Sequence, residues 1–160
     1  MKTLLIERKT DITLLVIRIT LGAVIFAHGA QKLFGWFGGF GYDGTMHYFT
    51  DTVGVPYAIG LLIILGESFG ALALVLGLFG RFMSLGIFII MAGAMYFDHA
   101  QNGFYMNWFG NRAGGEGYEF DLLVFGLSLA IIINGSGVFS LDHFIFRKQG
   151  AHDTKNAYAV

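Results

Sequence analysis

The chain has no cysteine among its 160 residues. That excludes thiol–disulfide exchange, thiolate zinc sites and cysteine-ligated iron–sulfur clusters, including the disulfide-forming chemistry of some membrane redox enzymes. Charge is also scarce: Asp, Glu, Lys and Arg make up 13% of the residues, against about 25% in soluble domains. The net charge of −1 offers no basic patch for phosphates, so nucleic acid is excluded as a partner. Loops are short, which leaves no room for a separate soluble domain.

What fills the chain instead is apolar: 55% of residues are hydrophobic. Four long stretches, about 12–34, 56–79, 82–97 and 118–134, read as membrane-spanning helices. The expected fold is an all-α membrane protein, a four-helix antiparallel bundle over residues 12–148. A short lead (1–11) precedes it and a tail (149–160) follows it. Asp11 is placed to N-cap the first span, and the only proline, Pro56, opens the second at its first turn. The basic lead resembles a secretory signal, but the apolar run continues to Gln31-Lys32-Leu33-Phe34 with no cleavage site, so a retained helix is expected. The third span is short for a full crossing.

Lys2, Arg8 and Lys9 precede the first span, Arg81 lies between the second and third, and Arg147, Lys148 and Lys155 follow the fourth. Only Lys32 and Arg112 fall near the other face. By the positive-inside rule both termini are cytoplasmic, and Arg81 sets topology. Gly66, Gly70, Ala73, Gly77, Gly86 and Gly93 suit close packing within the second-to-third hairpin. Aromatic residues interleave with glycine in both outer loops, at Trp36–Gly41 and again at Tyr105, Trp108 and Phe109. They serve as interfacial anchors or as a lid over a pocket. Thr45–Val53 is expected to form an interfacial helix.

Ionisable groups inside such spans are expensive and mark a site or a buried pair. Arg18, His28, Gln31 and Lys32 lie on one broad stripe of the first helix, and Glu67 lies near the middle of the second. A rise of ~1.5 Å per residue puts Arg18 roughly 9 Å, Glu67 roughly 18 Å and His28 roughly 24 Å from the cytoplasmic end. An Arg18–Glu67 ion pair is one expectation; a proton-handling Glu67 beside a bound redox molecule is the other. His99 and Glu119 fall near the outer boundary, as does Asp121, whose acid complements the dipole at the start of the last helix. His28 and His99 form only one possible axial pair for haem, and no spacing singles out a metal set, so both are disfavoured. A quinone suits the aromatic loops and the nearby hydrogen-bonding groups.

The stretch His28-Gly29-Ala30-Gln31-Lys32-Leu33-Phe34-Gly35, with Trp36-Phe37-Gly38-Gly39-Phe40-Gly41 after it, resembles the first-helix signature of the DoxX family. Glu67 with Gly70-Ala71, Leu76-Gly77-Leu78 and Arg81 resembles its second helix and basic turn. Gly117-Tyr118-Glu119 and Gly135-Ser136-Gly137 before Ser140-Leu141-Asp142 complete a pattern covering about residues 12–148. The resemblance implies a multi-pass protein of the prokaryotic inner membrane. The family is named for a subunit of a thiosulfate:quinone oxidoreductase, and its members are associated with redox-stress complexes. It implies functional positions at His28, Gln31, Lys32, Glu67, Arg81 and Glu119. Thiosulfate oxidation itself is not expected from a chain without thiols. The expected role is a membrane subunit binding quinone or a similar lipid, with protein partners or homo-oligomers in the membrane. The alternative is a non-enzymatic scaffold, and a small proton-coupled transporter is a weaker third reading.

Overall fold

Glycine and proline punctuate the apolar runs, and the helices stop where they occur. The computed structural model describes residues 12–110 and 115–145. Helix α1 spans Thr13–Phe34 and ends at Gly35, whose left-handed φ of 71° lets its N–H reach back to the Ala30 carbonyl. A 3-10 turn at Trp36–Gly38 leads into α2, Gly41–His47, which runs on as a π turn over Tyr48–Val53. Beyond Pro56, helix α3 spans Tyr57–Leu76 and passes through a π-helical segment at Gly66–Gly70. After the tight turn at Gly77–Phe79, α4 covers Gly80–Phe97 and α5 covers Glu119–Asn134.

No strand occurs among the described residues. Among the described residues three helices, α1, α3 and α4, are long and apolar enough to cross a membrane. Helix α5 is as apolar but has 16 residues, short of the ~20 a perpendicular crossing uses. The helix ends fall within three residues of the ends of the long apolar stretches, and the helix expected over Thr45–Val53 begins earlier, at Gly41. The lead, the tail, the Asp11 cap and the basic residues at 2, 8, 9, 112, 147, 148 and 155 lie outside the described residues.

All four long helices feed one core: Leu21 and Ile25 from α1, Ala71 and Leu74 from α3, Ile87 and Met91 from α4, and Val124 and Ile131 from α5. Large apolar side chains also cover the exterior, among them Ile19, Leu62, Phe82, Ile89, Leu123 and Ile133. Such an inside-and-outside apolar distribution fits hydrocarbon as solvent, since lipid tails leave no reason to hide these groups.

Helix α1 packs along the length of α3, and α5 packs on both α4 and α1. Between α1 and α3 the backbones approach closely at glycines of α1. A Cβ on Gly22 would fall 2.9 Å from the Ala71 carbonyl oxygen, and one on Gly29 would fall 2.6 Å from the Ser68 nitrogen. The hairpin glycines behave differently from expectation: Gly66 does press on Ile90, but Gly86 and Gly93 face open space. Helix α4 instead meets the core through Ile87 and Met91.

Near the start of α1 the helix ends are tied together by a buried polar lock. Arg18 is 2% exposed, and its guanidinium donates to the carbonyls of Ser136 (3.2 Å) and Phe139 (2.6 Å). Asp142 accepts from the backbone N–H groups of Phe79 (2.7 Å) and Gly80 (3.0 Å) and from the Ser136 hydroxyl (2.6 Å). It thereby caps α4 and holds Phe79 at φ 50°, a left-handed conformation unusual outside glycine. The Asp142 N–H donates to the Gly77 carbonyl, closing the loop. Burial pushes the Asp142 carboxyl up. The bonds from Ser136, Gly80 and Phe79 and the charge of Arg18 outweigh this and hold it below the ordinary carboxylate range.

Candidate functional site

The register of α1 against α3 decides which charges meet. Because Gly29 carries no side chain, α1 settles against the backbone of Glu67 and Ser68. Glu67 therefore lies level with His28 and Gly29, not between them and Arg18. The stretch of α1 from 18 to 29 rises about 16 Å, which puts Arg18 out of reach. The expected Arg18–Glu67 pair is not formed: Arg18 is held by the carbonyls of the lock, and Glu67 pairs with Lys32. The Glu67 side chain is 8% exposed and that of Lys32 26%, so the ion pair is dry at the carboxylate and wet at the ammonium.

Glu67 sits in the π segment of α3. The wider turn shifts the side-chain directions that a regular helix would impose, and such bulges recur at functional sites. Beside it the Ser68 hydroxyl is buried without a hydrogen-bond partner.

His28, one turn before Lys32, is exposed. Its ring lies 5.8 Å from that of Phe120 of α5, tilted by 46°. It is within electrostatic range of Lys32, Glu67 and His99. His99 opens the 3-10 turn His99–Asn102 after α4. Its Nδ1 stands 2.8 and 3.0 Å from the two carboxylate oxygens of Asp121 in the first turn of α5. Asp121 is fully buried.

Asp121 was expected only to complement the helix dipole. Its better signal is periodic: it shares the buried stripe of α5 with Val124, Ser128 and Ile131, and an acid on the core-facing stripe needs a partner. Glu119, two positions earlier, turns elsewhere. It accepts from the Met106 N–H (3.0 Å) and the Trp108 indole (2.6 Å), fastening the preceding loop to the start of α5. Gln31 is partly exposed, and its backbone packs on Gly39. Among the described residues its side chain makes no hydrogen bond to the cluster. Arg81 lies at the opposite end and donates to the Ile133 carbonyl at 3.3 Å.

Four elements thus converge: His28 and Lys32 of α1, Glu67 of α3, the His99 turn after α4, and Phe120 and Asp121 of α5. Two acid–base pairs flank an exposed histidine over an aromatic ring. The set can donate hydrogen bonds, accept them and exchange protons, and the ring offers an apolar face. Among the described residues no group of three or more His, Asp and Glu converges as a metal site would require.

The family model described as DoxX matches residues 13–100, from α1 into the His99 turn. A Bacillus subtilis (strain 168) protein described as "Putative oxidoreductase CatD" is 26% identical over 141 residues, covering 88% of this chain and 92% of that one. No solved structure matches the chain.

Proposed function

This chain belongs to the DoxX family, and on that premise we propose that it is a membrane subunit of a quinone-linked oxidoreductase or redox-stress complex in a prokaryotic inner membrane. All four long helices cross, with α5 tilting least, and both termini are cytoplasmic. The Lys32 end then faces outward, and Arg81 lies on the basic inner side. Lys32, His28 and Phe120 would hold a quinone or similar lipid-soluble redox molecule at the Lys32 end.

The observation that carries this reading is the His28 cluster itself. Lys32 and Glu67, and His99 and Asp121, pair side chain to side chain beside an exposed histidine in an apolar setting. A quinone supplies two-electron, two-proton redox chemistry, with electrons arriving from a partner protein. The residues of this chain do the rest. Lys32 would present its ammonium to a carbonyl oxygen, Glu67 would aim that ammonium, and the imidazoles of His28 and His99 would exchange protons. The description of the relative as an oxidoreductase is in keeping with this role.

The test is retention and titration. Wild-type protein purified in mild detergent should carry quinone detectable by mass spectrometry of its lipid extract and bind a short-tailed benzoquinone saturably. His28→Ala and Glu67→Gln should each weaken binding by about tenfold, ~1.4 kcal/mol. Wild-type protein that retains no quinone and binds none contradicts the proposal.

One observation favours the scaffold reading: Gly86 and Gly93 leave an open strip on the outer face of α4, where a partner helix can approach closely. Gly86→Leu separates the two, since it blocks assembly with a partner while leaving quinone binding intact. Gly77 is unsuitable for this purpose. Its φ of 69° and its contact with Arg18 mean that a side chain there would damage the lock.

A further inference from the structure

Asp121 has no exposed surface, and a carboxylate in such a place is costly by several kcal/mol unless its partners compensate. Among the described residues its hydrogen-bond partner is a single ring nitrogen, His99 Nδ1, which both oxygens address at 2.8 and 3.0 Å. A carboxylate is an acceptor, so the proton in this contact rests on Nδ1 when Asp121 is ionised. The imidazole is then fixed both in tautomer and in orientation. The His99 side chain remains 21% exposed, so one edge of the ring is spoken for and the other is open.

We propose that Asp121 is a positioning residue for His99: it holds the proton on Nδ1 and leaves Nε2 as the atom that exchanges a proton with a molecule bound beside His28. The proposal rests on the quinone-site reading for the identity of that molecule but not for the tautomer. It adds a second acid–base pair to Lys32–Glu67, with a different job. Lys32 and Glu67 present a paired ammonium and carboxylate, whereas His99 presents a ring nitrogen left free by its contact with Asp121. The groups that face His99 are His28 from α1, Asp98 next to it in the chain and Asp121 from α5, and His28 in turn lies within range of Lys32 and Glu67. A plain structural pin between His99 and α5 would need the same Nδ1 proton, but replacing Asp121 would then leave ligand affinity unchanged.

The experiment is nitrogen NMR on protein labelled with 15N-histidine in lipid nanodiscs, His99 being assigned by its loss in His99→Gln. The neutral His99 ring should show a protonated Nδ1 and a bare Nε2. In Asp121→Asn an amide can donate to Nδ1, so the proton should move to Nε2 in a large share of molecules. The same variant should bind short-tailed benzoquinone about tenfold more weakly than wild type. A wild-type ring with its proton on Nε2 overturns the proposal, even if Asp121→Asn fails to fold. So does an Asp121→Asn protein with unchanged tautomer and unchanged affinity. Should the tautomer shift as expected while wild type binds no quinone, the positioning role stands and the quinone reading falls.

Discussion

The two ends of the helix layer both bury charge, and they do so in opposite ways. At the Arg18 end the charges meet mainly fixed backbone groups: Arg18 donates to carbonyls and Asp142 accepts from amides and one hydroxyl. Those partners have no protonation states to change, and Arg18 is sealed from solvent. At the Lys32 end the charges meet other side chains, Lys32 with Glu67 and His99 with Asp121, with exposed His28 among them. Every partner there can titrate or swing. The contrast teaches that burial alone does not make an ionisable group functional; what it is paired with decides. The Arg18 end ties helix ends and loops together, and the Lys32 end is where the proposed function places its chemistry.

The sharpest way to break the contrast is to disturb the lock. Arg18→Met leaves the Ser136 and Phe139 carbonyls without their donor and Asp142 without a nearby cation. Loss of one member of a buried charged set costs about 3–5 kcal/mol, to be read from unfolding in mixed micelles. Asp142 gives the same region a pH signature. Its native pKa is depressed, so its contribution is complete above the unfolded value of about 3.9 and is lost as pH falls through the lower native one. Stability of the wild type should therefore drop on acidification below about pH 4, and Asp142→Asn should lose that portion of the drop.

A smaller stability effect is expected at the other end. Glu67→Gln should cost about 1 kcal/mol or less, because the partly exposed Lys32 can turn its ammonium to water. Its effect on ligand affinity should exceed its effect on folding, the reverse of Arg18→Met. The smallest change is expected of Glu119→Gln. It weakens the bonds to Trp108 and Met106 and should shift Trp fluorescence while lowering stability by about 0.5 kcal/mol.

Most of the helix layout was legible in the residues. Apolar length, Pro56, and glycine at positions 35, 77 and 135 mark the boundaries, because hydrocarbon and backbone geometry act locally. The joining of His28, Lys32 and Glu67 was half legible, since stripe and depth pointed to one interior. The partner of Glu67 was not. It depends on a register set by Gly22 and Gly29 against the α3 backbone and on a π segment that no local pattern announces. The partners of Arg18 are carbonyls beyond the end of α5, and backbone acceptors leave no trace in a charge pattern. Asp121 was legible in principle, through its phase with Val124 and Ile131.

The most direct test of the account is one titration series, with short-tailed benzoquinone added to wild type, Glu67→Gln and Asp142→Asn at neutral pH in the same detergent. The account predicts saturable binding by wild type, about tenfold weaker binding by Glu67→Gln, and wild-type affinity for the fraction of Asp142→Asn that remains folded. Equal affinity in all three, or a loss confined to Asp142→Asn, would contradict the division of labour between the two ends.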